Sequence, residues 1–260
     1  LRDQHGRRID YLRLSVTNHC NLRCVYCLPA QGVAGAASEE LLSDGEIERL
    51  VRVAVSLGID KIRITGGEPL VRPGIVNLLG TIAATAGLKD ISLSTNGMLL
   101  FKMAEDLRRA GLARVNVSLD TLRPERFPAI ARRHGLEDVM CGIRKALDAG
   151  FSPVKINVVV MNGVNSDEIP DFVSLTHRLP VHVRFIELMP IGETGFFNSQ
   201  RWLPLHEIQV RCGPLEPLSS ATQPIGFGPA TYFKSPGGMG SVGFISAMSC
   251  NFCGRCNRLR

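Results

Sequence analysis

Three cysteines, Cys20, Cys24 and Cys27, share one short loop in the spacing C-x3-C-x2-C. They follow a strand-like run, Tyr11-Leu12-Arg13-Leu14-Ser15-Val16, and Tyr26 stands immediately before the last thiol. Three thiolates this close suit an iron–sulfur cluster better than a structural zinc ion. Structural zinc takes four protein ligands, whereas a cubane held by three cysteines keeps one iron free for something else to bind. An open coordination position is what a catalytic metal site needs. A second motif, Gly66-Gly67-Glu68-Pro69, closes the next strand-like run. Its glycines let backbone approach a ligand closely, and the Glu68 carboxylate suits an amino group. Alone it reads equally well as a turn; one strand–helix unit after the cysteine loop, it is far more specific.

These motifs need a scaffold, and the chain offers one. From residue 11 to about 187, short β-branched runs alternate with amphipathic helical stretches. The strand candidates are Leu12–Val16, Lys61–Thr65, Asp90–Ser94, Arg114–Ser118, Val154–Val160 and Val181–Glu187. Ser43–Leu57 is the clearest helix, with Ser43 as N-cap, Glu46 completing a capping box and Gly58 at the C′ position. Similar stops stand at Gly111 and Gly150. Such alternation predicts parallel strands with right-handed crossovers. Six units are too few for a closed eight-stranded barrel, so the expected fold is an open, partial (β/α)6 TIM-like barrel. Sites in such folds collect at the C-terminal ends of the strands. Those ends are all polar or glycine-rich here, among them Thr65-Gly66-Gly67-Glu68, Ser94-Thr95-Asn96-Gly97 and Ser118-Leu119-Asp120. After Pro190 the regularity fails, apart from short strands near Thr231–Lys234 and Val242–Ser246. The expected division is a barrel over 1–189 and a smaller, irregular segment over 190–260 that packs across it and carries a second group of cysteines.

Composition narrows the partners. At 260 residues and 45% hydrophobic content the chain can bury a real core. Its longest apolar runs, such as Val158-Val159-Val160-Met161, are too short to span a bilayer, and the opening residues are polar, so a cytoplasmic protein is expected without membrane contact. Six of the eight cysteines fall into two groups, which favours metal binding over disulfides. The isolated Cys141 and Cys212 read as buried apolar thiols. The net charge of +6 suits an anionic partner. Without alternating aromatic and basic residues, a polyanionic small molecule fits better than a nucleic acid. None of the six histidines shows ligand-pair spacing, and loop or helix-surface positions are expected for all. Asp120 reads equally well as a pocket group or as a helix cap.

The pairing of C-x3-C-x2-C with Gly-Gly-Glu-Pro resembles the radical S-adenosylmethionine superfamily. There the three-cysteine loop holds a [4Fe–4S] cluster, and the amino and carboxylate groups of S-adenosylmethionine chelate its fourth iron. Reductive cleavage of the sulfonium then releases a 5′-deoxyadenosyl radical. The likeness extends to the GTP 3′,8-cyclase family of molybdenum cofactor biosynthesis, from about Leu12 to the last residue. It is carried by Leu12–Thr17, Lys61–Thr65, Asn116–Asp120, Lys155–Asn157, Arg184–Pro190 and Cys253–Arg260. The implied reaction is radical cyclisation of GTP to (8S)-3′,8-cyclo-7,8-dihydroguanosine 5′-triphosphate, the first step towards that cofactor.

By this resemblance Cys20, Cys24 and Cys27 ligate the first cluster, with Tyr26 near the adenine. Gly67, Ser118 and Met189 match positions that contact S-adenosylmethionine, and Glu68 lies in its amino-group motif. Arg13, Arg63, Ser94, Lys155, Arg184, Arg258 and Arg260 match positions that hold GTP or line its pocket. A triphosphate demands several convergent cations, and the arginine fork suits phosphate oxygens. Arg13, Arg63, Lys155 and Arg184 also fall inside strands, where a charge needs a partner.

Cys253 and Cys256 match two ligands of a second [4Fe–4S] cluster that binds the guanine. The family's third cysteine lies downstream of Arg260, so the chain reads as a fragment. Its third ligand stays open between Cys250, which makes a C-x2-C-x2-C with the other two, and a residue beyond Arg260. The resemblance further implies an electron donor and a downstream partner, cyclic pyranopterin monophosphate synthase, and leaves a homodimer open. Two alternatives stand beside this reading. One is a radical enzyme that modifies peptides, whose cysteine clusters are usually richer. The other is a non-catalytic iron–sulfur or zinc-binding protein, which needs four thiols per metal and leaves Gly66-Gly67-Glu68-Pro69 idle.

Overall fold

The computed structural model describes residues 1–260 except His5, 33–40, Glu193, Phe227, Asn251 and Arg260. In chain order the elements are β1 (Tyr11–Ser15), α1 (Asp44–Ser56), β2 (Lys61–Thr65), α2 (Ile75–Ala83), β3 (Asp90–Thr95), α3 (Leu100–Arg109), β4 (Arg114–Ser118), α4 (Phe127–Ala131), α5 (Leu136–Asp148), β5 (Val154–Val160), α6 (Ile169–Arg178) and β6 (Val181–Glu187). Then follow α7 (Leu205–Arg211), β7 (Glu216–Pro217), β8 (Thr231–Lys234), β9 (Ser241–Ile245) and β10 (Arg258–Leu259).

Local chemistry starts and stops these helices where expected. The Ser43 side chain accepts from the Glu46 N–H while the Glu46 carboxylate accepts from the Ser43 N–H, a reciprocal cap worth about 1 kcal/mol. The stops at Gly58, Gly111 and Gly150 have φ of 93°, 95° and 79°, a region that costs other residues energy.

Among the described residues, all ten strands join one sheet in the order β10-β1-β2-β3-β4-β5-β6-β9-β8-β7. From β10 to β9 every pairing is parallel, and β7 and β8 add an antiparallel edge. The sheet is open, a partial barrel.

Strict alternation gives it two unlike faces. On the helix side one register row runs Leu14, Ile64, Leu93, Val115, Val154, Val181, every residue of it buried. That row packs under the helices; α1 contributes Ile47, Val51 and Ala54. On the lumen side the rows are polar: Arg13, Arg63, Ser92, Arg114; then Ser94, Asn116, Lys155, His182, Ser241; then Ser118, Asn157, Arg184, Gly243. One face therefore supplies the hydrophobic driving force while the other is left for a polar ligand.

The segment after residue 190 extends this sheet at both edges, through β9 beside β6 and β10 beside β1. Cys212 is buried as expected, but Cys141 is exposed on α5; it falls on the face of the helix turned away from buried Val139 and Ile143. No helix among the described residues is long and apolar enough to cross a membrane.

Candidate active site

The cysteine loop and the Gly-Gly-Glu-Pro turn are built onto one another. Gly67 N–H donates to the Thr17 carbonyl at 2.8 Å and Glu68 N–H to the His19 carbonyl at 2.7 Å. A Cβ on Gly67 would lie 2.2 Å from the His19 carbonyl oxygen, so only glycine allows this contact. The Glu68 carboxylate is buried and spends both oxygens internally. Oε1 accepts from Leu70 N at 3.0 Å and Thr95 Oγ1 at 2.7 Å, and Oε2 from Asn96 N at 2.6 Å. Glu68 thus ties β2's exit to β3's and holds the turn against the cysteine loop.

Cys20 and Cys24 are half-buried and Cys27 is exposed. Burial raises the pKa of all three; Asp120, Cys27 and Cys20 push Cys24 further up, and Cys20 and Asp120 do the same to Cys27. The thiols therefore stand within electrostatic reach of one another. Yet among the described residues no three potential ligands are drawn in tightly enough for a single metal ion. Leu22 N–H and the Asn96 amide approach Cys20 Sγ at 3.4 and 3.8 Å, contacts that favour a thiolate. Three thiols on one loop, with N–H donors at Cys20, suit the ligand chemistry of an iron–sulfur cluster. Only a strong local positive charge makes their ionisation cheap.

Tyr26 crosses to the far side of the lumen, where its hydroxyl donates to Asp120 Oδ2 at 2.7 Å. Asp120 Oδ1 accepts from Val159 N at 2.8 Å, so it is a buried pocket group that caps no helix. Burial pushes the Asp120 carboxyl up to about 6. Cys24, Tyr26, Asn96, Ser118 and Asp120 line one small cavity of about 30 Å³. Met189, half-buried, directly follows Leu188, which packs in an apolar cluster with Ile130, Met161 and Tyr26.

Below this end lies the lumen. Arg63 reaches Ser92 Oγ at 3.4 Å and lies over the Tyr11 ring at 5.6 Å. Arg184, 4% exposed, donates to Asn116 Oδ1 at 2.8 Å. Lys155 faces the Tyr232 ring at 5.4 Å. Burial, together with Arg184, Arg13 and Arg114, lowers Arg63 to about 10. Burial with Arg184, Arg114 and Arg63 lowers Lys155 to about 6. These cations crowd one space, and Asp90 on Arg114 offsets one charge only. Ser94 lies on the same face, half-buried, in register with Asn116.

The C-terminal group is brought to the rim. β10 places Arg258 opposite Tyr11, and Arg258 lies 5.7 Å from the Phe252 ring. A cavity of about 260 Å³ is lined by Cys256, Arg258, Phe252 and Thr231. Cys250 and Cys253 are exposed. Arg260 lies outside the described residues.

The sequence profile of the radical SAM superfamily matches residues 14–176, and that of the molybdenum cofactor synthesis C family matches residues 181–260. The chain is 48% identical to a GTP 3′,8-cyclase of Alkaliphilus oremlandii over 260 residues, covering 100% of this chain and 80% of that protein. It is 50% identical to one from Moorella thermoacetica over 260 residues, again 100% and 80% of the two lengths. The chain belongs to the GTP 3′,8-cyclase family of radical SAM enzymes. Among solved structures, Streptococcus suis SuiB bound to precursor peptide SuiA aligns with TM-score 0.67 at 18% identity, over 80% of this chain and 46% of that one. The protein anSMEcpe with bound AdoMet gives TM-score 0.59 at 18% identity, over 76% and 54%. At this identity the two structures bear on the fold alone, and the open sheet agrees with it. Membership of the family brings with it a [4Fe–4S] cluster and S-adenosylmethionine.

Several lumen groups of this family member are not singled out by its motifs. Arg114, Asn116 and Asn157 share the lumen face with expected site residues; the period of two, counted from Ser118 or Lys155, finds each of them. His182, expected at a surface, is half-buried in the lumen with Nδ1 2.8 Å from Ser241 Oγ. Burial, then Lys155 and Arg184, holds its pKa down to about 4. The buried Glu168 and Glu187 leave no comparable signal. Glu168 accepts from Thr121, Leu122 N and Arg126, and Glu187 from Leu205 N, Met248 N and Ser249.

Proposed function

We propose that this chain cyclises GTP to (8S)-3′,8-cyclo-7,8-dihydroguanosine 5′-triphosphate, the first step of molybdenum cofactor biosynthesis. The cluster is held by Cys20, Cys24 and Cys27, with S-adenosylmethionine against Tyr26, Gly67, Ser118 and Met189. The carrying observation is the group Arg63, Arg114, Lys155 and Arg184, the first half-buried and the other three buried, a concentration of basic side chains that a polyanion stabilises. Arg13, Ser94, Arg258 and Arg260 complete the GTP pocket in this reading. Glu68 acts as a positioning residue that sets the Gly67 backbone.

Bound S-adenosylmethionine and its cluster supply one-electron radical chemistry. The protein's part is alignment. Ser118 and Asn157, paired in register, stand on the cysteine-loop side of Arg63, Arg114 and Lys155, where the nucleotide ribose must meet the adenosyl group. Among the described residues the Asn157 Oδ1 and Arg184 Nε atoms are buried without a hydrogen-bond partner, as expected of groups that await a ligand. The lumen's cations fix the triphosphate, and the Tyr26–Asp120 bond holds the cysteine loop over it.

A second cluster at Cys253 and Cys256 belongs to this proposal, supported by the Cys256–Arg258 cavity at the rim; its third ligand is Cys250 or a residue beyond Arg260. The chemistry requires an external electron donor, and the product goes to a cyclic pyranopterin monophosphate synthase. We take 1–189 as the radical SAM unit and 190–260 as the unit carrying the second cysteine group, built on one sheet. Eight free thiols fit a reducing compartment such as the cytoplasm. A peptide substrate fits a lumen of buried cations poorly.

The test is anaerobic. Reconstituted protein with S-adenosylmethionine and a strong reductant should release 5′-deoxyadenosine in a GTP-dependent manner. Release that ignores GTP, from protein with a full first cluster, would refute the substrate.

A further inference from the structure

Arg114 opens β4 at the end of the lumen remote from the cysteine loop and is 4% exposed. Its Nε donates to Asp90 Oδ1 at 2.9 Å and its Nη2 to Asp90 Oδ2. Its Nη1 donates elsewhere, to the carbonyl of Ile225 at 3.0 Å. Lys155 Nζ donates to the same oxygen at 2.6 Å. Two buried basic side chains from neighbouring strands therefore converge on one acceptor position.

The acceptor lies between β7 and β8, in the span 218–230. The Ile225 side chain is 65% exposed, so its apolar surface gains little here; the carbonyl is the bonded part. The neighbouring Gly226 is tightly approached, since a Cβ there would lie 2.4 Å from Lys155 Nζ. A neutral carbonyl is a weak partner for these two basic groups compared with a phosphate oxygen, which makes charge-assisted bonds about twice as strong.

Distance along the strand says which phosphate. Ser118 lies four residues further along β4, about 13 Å away at strand rise. With the reacting ribose at the Ser118 end, the Arg114 end receives the far end of the nucleotide. We propose that Arg114 and Lys155 form the subsite for the terminal phosphate, with the Ile225 carbonyl occupying that position until the phosphate takes it. Arg114 is then a specificity residue, reading the length of the phosphate chain. The inference rests on GTP as substrate.

Replacing Arg114 alone would leave the half-buried Asp90 carboxylate without its ion-pair partner, so the informative protein is Arg114→Gln in an Asp90→Asn background, compared with Asp90→Asn. Binding of GTP, GDP and GMP to the anaerobically reconstituted proteins would be measured by equilibrium dialysis. The expected result is GTP affinity about 10- to 100-fold lower, the loss of a charge-assisted bond, with GMP affinity unchanged within about 2-fold. GTP and GMP weakened equally would mean a merely structural arginine and overturn the subsite, as would an unchanged preference for GTP over GMP. Limited proteolysis of the parent protein tests the carbonyl's part: GTP, but not GMP, should alter cleavage within 218–230, and identical patterns would overturn it. If the parent protein itself fails to release 5′-deoxyadenosine in response to GTP, the substrate reading fails and the subsite falls with it.

Discussion

The Tyr26 hydroxyl and the Asp120 carboxylate meet at 2.7 Å across 94 residues of sequence, joining the cysteine loop to the end of β4. Tyr26→Phe keeps the ring and removes the donor, leaving the buried carboxylate with the Val159 N–H. The expected loss is about 1–2 kcal/mol of unfolding free energy, read from denaturant melts. 5′-Deoxyadenosine release should fall as the loop loosens. An unchanged melt would show that the bond contributes nothing.

Lys155 gives the site a pH signature. Its pKa, held down to about 6, lies far below the roughly 10.4 of a free lysine. Between those values the nucleotide-free protein binds fewer protons than its unfolded chain, so its stability rises with pH across that window. A phosphate beside the amine reverses the shift. GTP binding near pH 8 should therefore take up close to one proton, and affinity should fall as pH rises. Calorimetry in two buffers of different ionisation enthalpy measures the uptake. Lys155→Met should abolish it, and persistence in that variant would assign the proton elsewhere.

Arg63 should trade stability against binding. It is crowded by Arg184, Arg13 and Arg114 as well as desolvated. Arg63→Met is expected to stabilise the nucleotide-free protein by on the order of 1 kcal/mol, about 2–4 °C in Tm, while weakening GTP at least about 10-fold. A variant that is both less stable and normal in GTP binding would contradict the electrostatic account.

Glu187 secures the approach to the second cysteine group. Its carboxylate gathers Leu205 N at 3.0 Å, Met248 N at 2.8 Å and Ser249 N at 2.9 Å. Glu187→Gln places an amide donor among those donors and should cost about 2–3 kcal/mol. Iron analysis separates the two sites: iron at the C-terminal cysteines should drop while the first cluster is retained. Equal loss from both sites would place Glu187 in the general core instead.

Strand positions were legible because β-branched residues alternate with polar ones, so Lys61–Thr65, Arg114–Ser118, Val154–Val160 and Val181–Glu187 were expected with the bounds they have. β1 begins one residue earlier than expected, at Tyr11, where β10 pairs with it. A two-residue strand has no periodicity of its own, and its partner is 247 residues away. The cysteine loop and its neighbouring turn announced themselves through spacing. His182 did not, since its burial depends on Ser241 arriving beside β6. Glu168 and Glu187 were silent for a related reason: buried carboxylates are recognised by the distant N–H groups that they gather.

The way the sheet is finished has a temporal consequence. β1 is synthesised before the other described strands, yet one of its edges is paired only by Arg258 and Leu259, and β6 likewise waits for β9. Contacts of such long sequence separation form late, because the intervening chain must be ordered before they bring any return. Until then the nascent barrel shows two bare strand edges, each a template for association with another unfinished chain. The stretch that carries Cys250, Cys253 and Cys256 lies between the two closing strands, so assembly of the second cysteine group and protection from aggregation belong to the same final event of folding.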